Sequence, residues 1–337
     1  MFYHTKNNSR TLRSNSLLKV LFLLILTALS VVSCQWFTPD LATSLKHDSG
    51  YIQVAKGKLF YEKFGSGSPI VVVHGGPGFD HQYLLPQMLE LAKDHEVIFY
   101  DQRGSGQSLE TPVNTQYINI DRFTDDLDAL RKQLDLKEFT LIGHSWGGYL
   151  AMNYAVTHPE YLSSLILLHT APADYHGQLA FTHTLSKKAK ALPEGTNDIF
   201  QSGKVKTLDP IILEKDYRTF FSIYFYDPKD VKQLHINITN EFAENTVRIN
   251  EEMSKTSWLR PQNNLFPKLR KLNVPTLIVH GNQDLIPMWT AKDIKDSIPH
   301  SEIIYLDHCG HFSPIEKPDE LFPQLRAFLN LTQKNSE

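Results

Sequence analysis

Phe139-Thr140-Leu141-Ile142-Gly143-His144-Ser145-Trp146-Gly147-Gly148 is the stretch on which the fold turns. An apolar run of strand length ends in Gly-x-Ser-x-Gly, and a helix-like segment from Tyr149 to His158 follows at once. A strand that passes so abruptly into a helix strains the backbone of its middle residue, and the flanking glycines leave room for that turn. The result is one serine hydroxyl lifted above the end of a sheet. The bare pentapeptide recurs by chance in many chains. The strand before it and the helix after it make it specific, so Ser145 reads as a catalytic nucleophile.

On either side of this stretch, strand-like runs recur with helical segments between them. Tyr51–Val54 and Lys58–Phe64 read as an opening antiparallel pair. Pro69–His74, Glu96–Asp101, Phe139–Gly143, Ser164–His169, Pro275–His280 and Ser301–Leu306 follow. Pro69–His74 (PIVVVH) is β-branched without alternation, as a strand buried on both faces should be. Ile120–Leu136 places Phe123, Leu127, Leu130 and Leu134 on one helical face, and Asp319–Leu331 reads as the last helix. The pattern predicts an α/β fold: a mostly parallel eight-stranded sheet with helices on both faces. Between 173 and 269 the rhythm breaks into amphipathic segments with no buried-strand run. The reading is a core made of 49–172 and 270–337, with 173–269 inserted after the sixth strand as a helical cap over the site.

A serine hydroxyl needs a base to take its proton, and the base needs a group that fixes its tautomer. Asp284, in His280-Gly281-Asn282-Gln283-Asp284, follows the seventh strand. His311, in Cys309-Gly310-His311, follows the eighth. Both fall beyond carboxyl ends of strands, where sites in open α/β sheets gather. His308 is the rival base and Asp174 the alternative acid. His308, Cys309 and His311 together offer no clear fourth metal ligand, so neither a metal nor an organic cofactor is expected. Oxyanion donors are expected from the N–H of Trp146 and from Gly76, within His74-Gly75-Gly76-Pro77-Gly78 after the third strand. His74 and His144 flank these motifs and read as structural.

The N-terminus carries Lys6, Arg10, Arg13 and Lys19 without an acidic residue, then an uncharged run from Val20 to Val32, then Ser33-Cys34. The apolar run is too short to span a bilayer, which takes about 20 residues. It has the form of a secretory signal. Val31-Val32-Ser33-Cys34 resembles a bacterial lipobox. On that reading 1–33 is a signal peptide, Cys34 the lipidated first residue, and 34–48 a tether. The protein would be exported and held on a membrane of the bacterial cell envelope. The formal charge is −3, and removing the four basic residues of the signal makes it −7. Neither value, with no basic stripe, suits a nucleic-acid partner. The only other cysteine is Cys309, so an acylated Cys34 leaves no intrachain disulfide.

His74-Gly75-Gly76-Pro77-Gly78, then Asp101-Gln102-Arg103-Gly104-Ser105-Gly106-Gln107-Ser108, then Gly143-His144-Ser145-Trp146-Gly147-Gly148 resemble the proline iminopeptidase (prolyl aminopeptidase) family of α/β-hydrolases. The resemblance covers roughly residues 50–330 and includes Glu316-Lys317-Pro318. It implies a serine exopeptidase that releases an N-terminal residue, proline above all, from short peptides. Such an enzyme must recognise a free amine. Related chains carry a glutamate in an Asn-Glu-Phe sequence of the cap, which matches Asn240-Glu241-Phe242 and makes Glu241 the amine-binding candidate. Some members place a second glutamate directly after the triad aspartate; here Leu285 stands there, leaving Glu244 as the compensating carboxylate. The alternative is a carboxylesterase or other acyl hydrolase with the same triad and a repurposed cap. The substrate is a peptide or small acyl compound in either case. A non-catalytic surface protein is disfavoured by the intact triad and oxyanion loop.

Overall fold

The computed structural model describes residues 39–109, 113–200, 205 and 209–334. The signal-like segment and Cys34 lie outside the described residues. The chain divides into a short unit, Met1–Leu41, and a compact unit, Ala42–Glu337. The second unit carries the whole sheet and every candidate residue of the catalytic site.

Its centre is one eight-stranded sheet: β1 (His47–Val54), β2 (Gly57–Gly65), β3 (Pro69–Val73), β4 (Glu96–Tyr100), β5 (Phe139–His144), β6 (Leu162–Leu168), β7 (Thr276–Gly281) and β8 (Ser301–Leu306). The spatial order is β1-β2-β4-β3-β5-β6-β7-β8. β1 and β2 pair antiparallel, β2 pairs antiparallel with β4, and every later pairing is parallel. Swapping β3 and β4 in the order places β3 and β5 side by side at the middle, so the loops after both open onto the same spot. Strands β5 and β7 are buried at every position, which explains their unbroken apolar runs. β8 is an edge strand with only Leu306 fully buried. β1 begins at His47, four residues earlier than the apolar pattern indicates, because its outer half is polar edge backbone. The strand thereby takes in the end of the segment read as a tether.

Seven longer helices complete the description: α1 (Ile120–Gln133), α2 (Trp146–Thr157), α3 (Tyr175–Ala189), α4 (Pro210–Ser222), α5 (Asn240–Thr256), α6 (Met288–Ser297) and α7 (Pro318–Lys334). Asn119 caps α1 by accepting from Arg122 N, and Thr239 caps α5 by accepting from Phe242 N. Helices α3, α4 and α5 lie between β6 and β7 with no strand of the sheet among them. Each contributes residues to the lining of one cavity.

The Asp101–Ser108 segment is a brace. Asp101 accepts from the His81 backbone N–H at 3.1 Å, from His81 Nδ1 at 2.7 Å and from Gln107 N at 2.7 Å. His81 Nε2 reaches Glu62 on β2 at 2.5 Å. Arg103 donates twice to Asp126 of α1, at 2.8 and 2.5 Å, with both side chains buried. Any side chain at Gly106 would collide with the Asp101 carboxylate. The segment thus ties the end of β4 to β2 and to α1.

Candidate active site

Ser145 sits between β5 and α2 with φ 57° and ψ −121°, a conformation that costs a non-glycine residue on the order of 1–3 kcal/mol. The surroundings hold it there. Ser145 N donates to Leu168 O at 3.0 Å, and its carbonyl accepts from Gly148 N and Ala171 N, both at 2.9 Å. A Cβ on Gly147 would strike the Val73 carbonyl oxygen, and one on Gly143 would strike that of Gly147. Gly147 is required by the approach of strand β3 to the turn, and Gly143 by the closeness of the turn's own backbone. Ser145 stands at the N-terminus of a twelve-residue helix, whose dipole favours negative charge.

His311 donates Nδ1–H to both oxygens of Asp284, at 3.0 and 2.9 Å. Its Nε2 is therefore the basic nitrogen. The side chain of Asp284 is fully buried and also accepts from Ile286 N at 3.0 Å. Burial alone would raise its pKa, but the charge of His311 and the hydrogen bonds from His169 and His311 outweigh it, holding the carboxyl well below the usual range. Ser145 and His311 line one cavity of about 540 Å³, a size that suits a small-molecule site. No hydrogen bond of 3.5 Å or less joins their side chains; in unliganded sites this contact commonly tightens only on binding.

The oxyanion loop abuts the nucleophile: a Cβ on Gly75 would lie 3.1 Å from Ser145 Cβ. The backbone N–H of Gly75 is used, donating to Tyr83 OH at 2.6 Å. Those of Gly76 and Trp146 have no acceptor among the described residues, which leaves both to serve an oxyanion. Gly76 has φ 124°, so that position requires glycine.

The base loop is clamped by Glu316. Its carboxylate accepts from Tyr226 N at 2.7 Å and from Gly310 N and Phe312 N at 2.9 Å, and His311 N donates to Tyr224 O at 2.8 Å. That explains the chemistry of the Glu316-Lys317-Pro318 motif. A family model described as the α/β-hydrolase fold matches residues 68–318. The proline iminopeptidase of Lactobacillus helveticus is 30% identical over 311 residues, spanning 83% of this chain and 99% of that relative. The chain belongs to the proline iminopeptidase family of α/β-hydrolases. Among solved structures, the proline iminopeptidase of Mycobacterium smegmatis superposes with a TM-score of 0.64 at 21% identity, covering 86% of this chain and 100% of that one. An esterase from Thermogutta terrifontis gives 0.60 at 23%, covering 85% and 99%. At such identities the likeness concerns the fold alone.

The remaining candidates of this hydrolase separate clearly. His308 is exposed, packs edge-on to Tyr226 and does not line the cavity. Asp174 caps α3 by accepting from Gly177 N at 2.9 Å. Glu241 lies in the first turn of α5, exposed to solvent and outside the cavity lining. Glu244 is buried beside Arg248, which it binds at 2.7 Å, and is not in the lining either. Leu285 is buried away from the cavity. The stretch Asn240-Glu241-Phe242 thus starts α5, but the turn that faces the site is a later one.

Three supporting residues escape a reading of the sequence. His169, at the end of β6, donates Nδ1–H to Asp284 Oδ2 at 2.9 Å, and burial keeps its pKa low. Asp284 therefore holds two histidines. Tyr83 accepts from Gly75 N and donates to His144 Nδ1 at 2.7 Å, while His144 Nε2–H donates to the His311 carbonyl at 2.9 Å. This chain of bonds links the oxyanion loop to the base. Gln102 accepts from Trp146 Nε1 at 2.8 Å and binds His74 through both its own amide and its backbone. His74, pushed down to about 4 by burial, stays neutral and donates Nδ1–H to Gly75 O at 2.8 Å. A signal was present: β3, β5, β6 and β7 each run into a histidine, His74, His144, His169 and His280. Among the described residues, His169, His280 and Asp284 offer the grouping nearest to a metal set. Asp284 is already saturated by the triad and His169, so they belong to the support of the acid.

Proposed function

We propose that the protein is a serine aminopeptidase of the proline-iminopeptidase type, releasing N-terminal residues, proline above all, from peptides. The observation that carries this reading is the end-to-end match to the Lactobacillus helveticus proline iminopeptidase, 99% of whose length is spanned, in a chain whose Ser145 and His311 share one cavity. In the proposed cycle His311 Nε2 takes the Ser145 proton as Oγ attacks the carbonyl carbon of the first peptide bond. The tetrahedral oxyanion is met by Gly76 N–H and Trp146 N–H. His311 returns the proton to the departing nitrogen, leaving the N-terminal residue as an ester on Ser145. Water then attacks that ester, giving its proton to His311, and the amino acid leaves as Ser145 is reprotonated.

A carboxylesterase with the same triad is the second reading. It is favoured by one observation: no carboxylate of the described residues lines the cavity. Kinetics of the full-length protein separate the two. The aminopeptidase reading requires cleavage of prolyl or other aminoacyl anilides that N-acetylation abolishes and that Ser145→Ala lacks. Ester turnover with no anilide cleavage would overturn it in favour of the esterase. We further propose, on the sequence of residues 6–34, that the enzyme is exported and anchored through a lipid on Cys34.

A further inference from the structure

An aminopeptidase must bind the amine of its substrate, and this cavity has no carboxylate with which to do so among its described residues. Its walls are largely aromatic and aliphatic, including Phe181, Phe221, Tyr224 and Trp258. Three primary amides interrupt them: Gln178 on α3, Asn250 on α5 and Asn197, of which Asn197 is exposed to solvent and the other two are not. Gln178 is only 4% exposed. Its Nε2 donates to Pro172 O at 3.1 Å. Asn250 Nδ2 donates to Pro77 O at 2.9 Å and to Thr246 O at 2.8 Å. Because backbone carbonyls can only accept, these bonds fix which end of each amide is nitrogen. The opposite ends, Gln178 Oε1 and Asn250 Oδ1, are acceptors with no protein partner among the described residues.

An unpaired acceptor in an apolar cavity is costly, and a ligand that supplies an N–H recovers that cost. Asn250 is moreover bonded to Pro77, the residue after Gly76, so its amide is tied to the loop beside Ser145. We propose that Gln178 Oε1 and Asn250 Oδ1 receive the N–H groups of the substrate's N-terminal residue, and that they bind it as the uncharged amine. The proposal rests on the aminopeptidase reading and deepens it. Charge decides the protonation state. The titratable side chains around the cavity are Tyr83, His144, Lys190, Tyr224 and His311. None carries a carboxylate, and Lys190 is a basic residue. An ammonium taken out of water here would find no counter-charge, which is strongly unfavourable. A neutral amine is satisfied by amide oxygens alone. Proline's ring nitrogen, with a single N–H when neutral, makes one of these bonds; a primary amine makes both.

The test compares proline 4-nitroanilide with a 4-nitrophenyl ester of an acyl group that has no amine, using the full-length protein. Gln178→Met and Asn250→Leu keep size and remove the acceptor. Each should lower the ratio of anilide to ester kcat/KM about ten-fold or more, chiefly through KM of the anilide. Damage to folding or to the oxyanion loop lowers both activities together and leaves the ratio in place. In the wild type the ratio should rise between pH 6.5 and 8.5, as the substrate's α-amine, with a pKa of about 8, loses its proton. Any pH effect on the shared catalytic machinery acts on both substrates and divides out. An unchanged ratio in both variants, or a ratio that falls as pH rises, would overturn the proposal. So would the same loss produced by Glu241→Gln. Failure of the wild type to cleave any anilide, while the ester still turns over, would instead remove the aminopeptidase reading and the proposal with it.

Discussion

At Asp284 two imidazoles share one carboxylate, His311 from the loop after β8 and His169 from the end of β6. The second donor fixes the acid in place without adding a charge, since burial keeps His169 neutral. Removing it by His169→Leu should lower kcat/KM for an aryl ester by about ten-fold, the scale of one hydrogen bond to a charged group. His169→Asn can present an N–H near the same position and should recover part of the loss. Equal rates in Leu and Asn variants would show the donor to be irrelevant. Tyr83→Phe should depress kcat more than KM, because it removes both the acceptor of Gly75 N–H and the donor to His144. The placing of Ser145, Asp284 and His311 just beyond strand ends was legible, and the structure brings Ser145 and His311 to one cavity with His311 bonded to Asp284. His169 was not legible: a histidine ending an apolar strand carries no sign of which strand lies beside it, and only the β6–β7 pairing brings it to Asp284.

Among elements, α5 shows why a motif can be found while its role is misplaced. Thr246, Asn250 and Ser254 line the cavity at intervals of four residues, one stripe of a helix. Thr246 Oγ1 donates to Gly78 O at 2.9 Å and Asn250 to Pro77 O, so this stripe holds the oxyanion loop. Glu241 falls off it. The rotation of the helix is set by packing, chiefly Phe242 against Phe79 at a ring distance of 5.1 Å, which spacing alone does not encode. Thr246→Val should accordingly reduce kcat for both esters and anilides. The brace at the end of β4 gives a pH prediction. His81 is buried between Asp101 and Glu62; desolvation opposes its charge, but those two carboxylates prevail and push it up to about 10. A histidine whose folded pKa is raised contributes stability in full below its unfolded value of about 6.5, and loses it as pH climbs through about 10. The Tm should therefore decline from pH 7 to pH 10, and His81→Asn should flatten that decline while lowering Tm at pH 7. A parallel slope in wild type and variant would remove His81 as its source.

For the whole molecule, the parallel centre of the sheet was readable because its strands are buried on both faces and appear as unbroken apolar runs. The edge strand β1 was less so, because its outer half from His47 to Gly50 is polar and largely exposed, whereas β8 was readable over its whole length, Ser301–Leu306. No helix among the described residues is long and apolar enough to cross a membrane, and the proposed membrane attachment rests on Cys34. In a bacterial host the wild type should fractionate with membranes and carry a lipid on Cys34, and Cys34→Ser should lose both; a variant that still sediments with membranes unlipidated would rule that anchor out. The proposed mechanism stands or falls on Ser145, activated by His311 and Asp284, being the nucleophile of a working hydrolase. Labelling with a fluorophosphonate, read by mass spectrometry of the digested protein, tests this without any assumption about the substrate. One adduct per chain is expected, on the peptide containing Ser145, absent from Ser145→Ala and greatly slowed in His311→Gln. A protein that takes up no label, or that keeps it in Ser145→Ala, would contradict the mechanism.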